Sequence, residues 1–188
     1  AVLLDVPAAR HEPMMPPEDL VRAWLLLYYK IGPEPKPTEF WTDFGRAHHR
    51  DFLAESKPGR GVPEQARAAV AGLTGTRERV FRLLEWTRSK VRLASADTTL
   101  TRAERADLKR NASPEQTLER GVGTWRDLTL LFAAAARACD LDVRWLSLCR
   151  RTEGRADLTF TQSYFFRTYD IGVRDGERWI MVDPAAID

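Results

Sequence analysis

Apolar residues recur at three- and four-residue steps through the first two thirds of the chain, then gather into short β-branched and aromatic runs after residue 142. That switch of period predicts helices first and strands afterwards. Residues 2–17 are rich in proline and small side chains and show no period; they read as an extended linker from a preceding domain. Pro16 and Pro17 before Glu18 and Asp19 start a helix, with proline in its first turn and acid at the positive end of its dipole; Gly32 and Pro33 stop it near Lys30. Thr38 is the expected N-cap of a second helix that sets Phe40, Trp41, Phe44 and Phe52 on one side as a core-facing stripe. Further helices are expected over residues 63–73 and 76–91. Residues 94–112 turn polar and charged, a long surface excursion with room for a short helix around 102–110.

The next two helix starts carry explicit signals. In Ser113-Pro114-Glu115-Gln116, serine can cap, proline takes the first helical position and glutamine can reach back to complete a capping box; Gly121 should end this helix. Thr124 with Asp127 three positions on caps a strongly apolar, alanine-rich helix over 128–139, apolar enough to be central and buried. Strands are then expected over 143–149, 164–173 and 178–182, the last two joined by a tight turn at Asp175-Gly176. Helices followed by a meander of strands mean α+β, with helices packed on an antiparallel sheet.

Charge narrows the function classes. Twenty-nine basic and twenty-seven acidic side chains are interspersed, which argues against a nucleic-acid binder, since that class concentrates its cations on one face. The apolar runs at 23–29 and 128–136 are too short for a membrane span. The chain begins at Ala1 without a signal pattern and reads as a piece of something longer.

Candidate chemistry is sparse. Cys139 and Cys149 are too few for a disulfide framework and lack zinc-site spacing, so both are expected to be buried thiols. His48 and His49 are helix neighbours whose side chains point about 100° apart and cannot face one metal together. No metal or organic cofactor is implied, and no dense carboxylate cluster suits calcium.

Three stretches stand out: Gly-Val-Gly-Thr-Trp-Arg-Asp-Leu at 121–128, Phe-Arg-Thr-Tyr-Asp-Ile-Gly-Val at 166–173, and Trp-Ile-Met-Val-Asp-Pro-Ala at 179–185. With the helix ending near Cys139 and the Val-Arg-Trp-Leu strand after it, they resemble the transglutaminase-like superfamily of bacterial, papain-like proteins. Its motif reads approximately Gly-Asp-Cys-Lys-Asp at a helix start, then a strand holding His, then a strand ending in Asp-Pro. The resemblance implies a cysteine whose pKa is lowered at a helix N-terminus, a histidine acting as base and acid, and an aspartate orienting the imidazole.

By that resemblance the cysteine position holds Trp125, the histidine position Thr168, and the aspartate position Asp183. A shift of one or two residues around Thr168 offers Arg167, Tyr169 or Asp170, and the histidines His11, His48 and His49 all precede residue 50. Indole is not a nucleophile and a threonine hydroxyl is no general base near neutral pH. The expectation is therefore a catalytically inactive transglutaminase-like domain acting as a protein-interaction or structural module within a larger bacterial protein, with Trp125, Arg126 and Thr168 available for binding a protein or peptide ligand or a neighbouring domain. The alternative is an atypical hydrolase or acyl transferase with a non-cysteine nucleophile, for which Thr124 and Ser163 are the nearest hydroxyls. Expected organisation is a linker over 1–16, a helical layer over 17–92 and the transglutaminase-like core over 93–188. An extracytoplasmic placement is implied only by relatives of this kind.

Overall fold

Pro37 opens a helix, α1 (Pro37–Glu55). Its ring pre-sets φ for the first helical position, and the Phe40 amide donates to the Lys36 carbonyl at 3.0 Å. Thr38 therefore lies inside the helix rather than capping it. The computed structural model describes residues 15–16, 21, 27–29, 31–107, 109–150 and 154–186. Most of the expected linker over 2–17, His11, and most of the expected helix ending near Lys30 lie outside these residues, and 27–29 are not helical.

The chain divides into two units, residues 1–46 with 147–169 and residues 47–146 with 170–188. In the first, Trp41 meets Phe40, Phe44 and Phe166 edge-on with centroids 4.9, 5.5 and 5.0 Å away, and its Nε1 donates to the Leu158 carbonyl at 2.8 Å. The aromatic stripe of α1 is thus shared out. Phe40, Trp41 and Phe44 are only half-buried and cluster in this unit, while Phe52 alone is buried in the core of the other. The expected strand over 164–173 starts later. The Gln162 side chain accepts from the Tyr164 amide, winding Ser163–Phe165 into a short 3-10 turn, and the strand runs over Thr168–Asp175.

The second unit is built around one helix. Its elements are α2 (Gly61–Ala69), α3 (Thr76–Lys90), β1 (Arg92–Leu93), α4 (Arg102–Asp107), α5 (Pro114–Arg120), β2 (Val122–Gly123) and α6 (Trp125–Ala138). Every residue of α6 from Asp127 to Ala136 is buried, as a helix that is apolar all round must be. It packs against α2, α3 and α5. Past Cys139, Asp140 takes φ 59°. The amides of Asp140 and Leu141 donate to the carbonyls of Arg137 and Ala136 at 3.0 and 3.1 Å, so α6 ends in a Schellman motif.

α2 starts two residues before Pro63 because Glu115 of α5 accepts from the Gly61 amide with both carboxylate oxygens, at 3.0 and 3.1 Å. Ser113 accepts from the Gln116 amide, but Gln116 reaches back to the Ala112 amide rather than to that of Ser113. α5 then ends at Gly121 in the left-handed region, φ 62°.

Among the described residues β1 and β2 form a parallel pair, with Arg92 opposite Val122. A three-stranded sheet has the order β3-β4-β5, with β3 Val143–Leu148, β4 Thr168–Asp175 and β5 Arg178–Val182. β4 and β5 run antiparallel from the Ile171–Val182 pair to the Asp175–Arg178 pair, turning at Gly176 with φ 61°. The molecule is α+β, as the change of period predicts. No helix of the described residues is long and apolar enough to cross a membrane.

Candidate functional site

The start of α6 is held by a buried carboxylate. Asp127, 2% exposed, accepts from the amide and the hydroxyl of Thr124 through Oδ2, both at 2.8 Å, and from the Asn111 amide through Oδ1 at 3.1 Å. Thr124 Oγ1 accepts in return from the Asp127 amide, which completes the capping box. A negative charge here also favours the positive end of the helix dipole. Asn111 is itself fixed, donating to the Val122 carbonyl and accepting from Arg120, at 3.0 and 2.8 Å. Gly123 must be glycine, because a Cβ there would come within 2.8 Å of the Asp127 Cβ.

On this rigid collar Trp125 occupies the first helical position with 44% of its surface exposed. Its ring lies 6.5 Å from that of Trp145 on β3, which in turn packs on Phe52 at 5.7 Å. The Arg126 guanidinium sits 5.0 Å from the Trp145 ring centroid, a cation–π contact. Arg126 and Arg110 both donate to Glu55 Oε2 at 2.6 Å. Two indoles, two guanidiniums and one carboxylate thus form a polar-aromatic surface.

Asp183 follows β5. Its Oδ1 accepts from the Ala185 amide at 3.0 Å, the bond by which an aspartate before proline closes a turn. Its main-chain carbonyl accepts from Arg88 Nη2 at 3.1 Å. Thr168 opens β4 in the first unit, half-buried, whereas Trp125, Arg126 and Asp183 belong to the second. Beside Thr168, Arg167 donates to the Tyr164 carbonyl at 3.1 Å and lies over that ring at 4.2 Å. Ser163 begins the 3-10 turn.

The cysteines do not behave alike. Cys139 is buried, and burial pushes its thiol pKa up against the opposing pull of Arg79 and Arg67, so it is a poor nucleophile. Cys149 lies just past β3 and is half-exposed, which corrects the expectation of a buried thiol; the strand that would have turned it inward ends at Leu148. Among the described residues no group of three or more His, Cys, Asp or Glu could hold a metal ion.

His49 and Arg144 contact at 2.8 Å. Burial, then the Arg144 charge, lowers the His49 pKa from its ordinary 6.5, while Asp142 opposes this. An imidazole harder to protonate when folded than when unfolded gives stability that is full above pH 6.5 and falls as the pH drops below that value. Denaturant titrations at pH 8 and at pH 5 should show this loss, and His49→Gln should reduce it.

Glu55, Arg110 and Trp145 carry the surface around Trp125. Glu55 lies three residues beyond Phe52 on the same helix and Trp145 in the Val-Arg-Trp-Leu strand, so only the latter had a local signal.

A family model described as the transglutaminase-like superfamily matches residues 63–184. No curated protein sequence matches the chain. A crystal structure of a candidate cysteine protease from Cytophaga hutchinsonii is similar at 15% identity and a TM-score of 0.47. The match covers 71% of this chain and 42% of that one, so this chain spans less than half the length of that protein.

Proposed function

The chain belongs to the transglutaminase-like superfamily, and from that membership we propose that it is a non-catalytic member, a recognition module for a protein or peptide ligand or a neighbouring domain. The observation that carries this is Trp125. Where the family mechanism places a thiolate, in the first turn of the buried helix, this chain holds an indole with 44% of its surface exposed. At that position the dipole has no thiol to activate. Trp125, Trp145 and the Arg126 guanidinium over the latter instead make an aromatic surface with a cation at its edge, suited to a peptide side chain. Thr168 offers a hydroxyl, and Asp183 uses a carboxylate oxygen within its own turn, so neither stands in for the absent imidazole.

A second reading rests on one distance. The Thr124 hydroxyl is 2.8 Å from the Asp127 carboxylate, a hydroxyl within reach of a base. That carboxylate also accepts from the Thr124 and Asn111 amides, and the hydroxyl itself accepts from the Asp127 amide. Such an arrangement serves a helix cap better than a nucleophile.

The test pairs chemistry with binding. With glutamine-containing peptides, the native protein should release no ammonia and incorporate no amine, whereas Trp125→Cys with Thr168→His should gain measurable turnover. Peptides selected on the native protein from a random display library should bind Trp125→Ala at least about tenfold more weakly, as an aromatic anchor requires, with an unchanged circular dichroism spectrum. Native turnover abolished by Thr124→Ala would establish the hydroxyl reading instead.

A further inference from the structure

A cleft of about 560 Å³ lies in the second unit, lined by the end of α3, by β1, by residues 96–99, by Leu128 of α6 and by residues 184–186. Neither Trp125 nor Arg126 lines it, so it stands apart from the recognition surface proposed above. Its volume falls within the range of small-molecule sites. Val91, Leu93, Leu128, Pro184 and Ala185 supply an apolar lining.

The polar part is preorganised. Asp97, whose side chain is only 3% exposed, accepts from the Thr99 amide and hydroxyl at 2.9 and 2.6 Å. Those two bonds hold its carboxyl below the ordinary carboxylate range, so it stays ionised. Its second oxygen lies 2.6 Å from Arg92 Nη1, and the same nitrogen donates to Thr99 Oγ1 at 3.1 Å. The Arg92 guanidinium is therefore tethered by one nitrogen, while its Nε and Nη2 edge has no partner among the described residues. A fixed guanidinium edge matches a carboxylate in two parallel hydrogen bonds. Arg88 adds a second guanidinium to the lining, anchored on the carbonyls of Asp183 and Pro184 at 3.1 and 3.3 Å. Two cations face one anion, so the lining is net positive.

We propose that this cleft binds a small carboxylate with an apolar body, its acid group on Arg92 and its body against Leu93, Leu128 and Pro184. Selectivity for the anion follows from the tether: Asp97 occupies Nη1 and leaves the paired edge for the ligand.

Calorimetric titration of the intact protein with 4-phenylbutyrate, its primary amide and 4-phenylbutylamine tests this. The acid should bind saturably, at least tenfold tighter than either of the others. Arg92→Gln should weaken the acid at least tenfold without affecting the amide, and Ala96→Trp at the exposed rim should abolish binding. Circular dichroism confirms that each variant is folded. Absence of saturable binding by the acid overturns the proposal. So does equal binding of acid and amide, tighter binding of the amine, or acid binding that survives both substitutions.

Discussion

Asp127→Ala is expected to lower the free energy of unfolding by about 3 kcal/mol, because it orphans the amides of Thr124 and Asn111 and takes away the acceptor of the Thr124 hydroxyl. Each orphaned amide costs on the order of 1–3 kcal/mol when no water replaces the carboxylate, while Thr124 Oγ1 still caps the amide of residue 127. The upper sum is not reached, because the collar can relax and admit solvent beside the half-buried Thr124. Asp127→Asn keeps one acceptor oxygen and should fall between the wild type and alanine. Urea denaturation of the three proteins checks the order, and an alanine variant within about 0.5 kcal/mol of the wild type would refute the role assigned to this carboxylate.

Phe132→Ala should cost more, about 3–5 kcal/mol. Phe132 is completely buried on a helix that α2, α3 and α5 enclose, so the space left behind has walls that cannot close without shifting whole helices. The residues after it, Ala133 to Ala136, are fully buried and small, so the following turn of α6 offers no side chain that can swing in to fill the gap. The same urea series measures the loss. A cost below about 1.5 kcal/mol would mean that the interior collapses around the gap.

Legibility in the sequence followed the range of the interaction. The capping box of Thr124 and Asp127, the proline start of α5, the left-handed stop at Gly121 and the Asp175-Gly176 turn are local, set by chemistry within four residues, and could be read directly. α6 could be read because its apolar character covers all sides. The displaced starts of α2 and β4 have two different causes. A carboxylate 54 positions away caps Gly61, and no window of sequence contains both partners. A side chain two positions away winds Ser163–Phe165, a local device that competes with the strand signal of Tyr164 and Phe165. The parallel β1–β2 pair is two residues long and too short to show a period. Trp125 and Arg126 were visible as candidates through the family motif, but Glu55, 71 positions from Arg126, was not. The cleft at Arg92 joins segments some ninety positions apart and had no signal at all.

The collar at the head of α6 divides freedom unevenly among neighbours in the chain. Gly123 cannot accept a side chain, and Thr124 and Asp127 lock each other, while Trp125 between them faces solvent with much of its ring. A random substitution at 123 or 127 is paid in folding, whereas one at 125 leaves the folded population nearly untouched. On the reading proposed for Trp125, the position that would carry the family's chemistry is one that these locking bonds leave open to exchange. On that same reading, a lineage could exchange a nucleophile for an aromatic contact there in a single step, without passing through an unfolded intermediate.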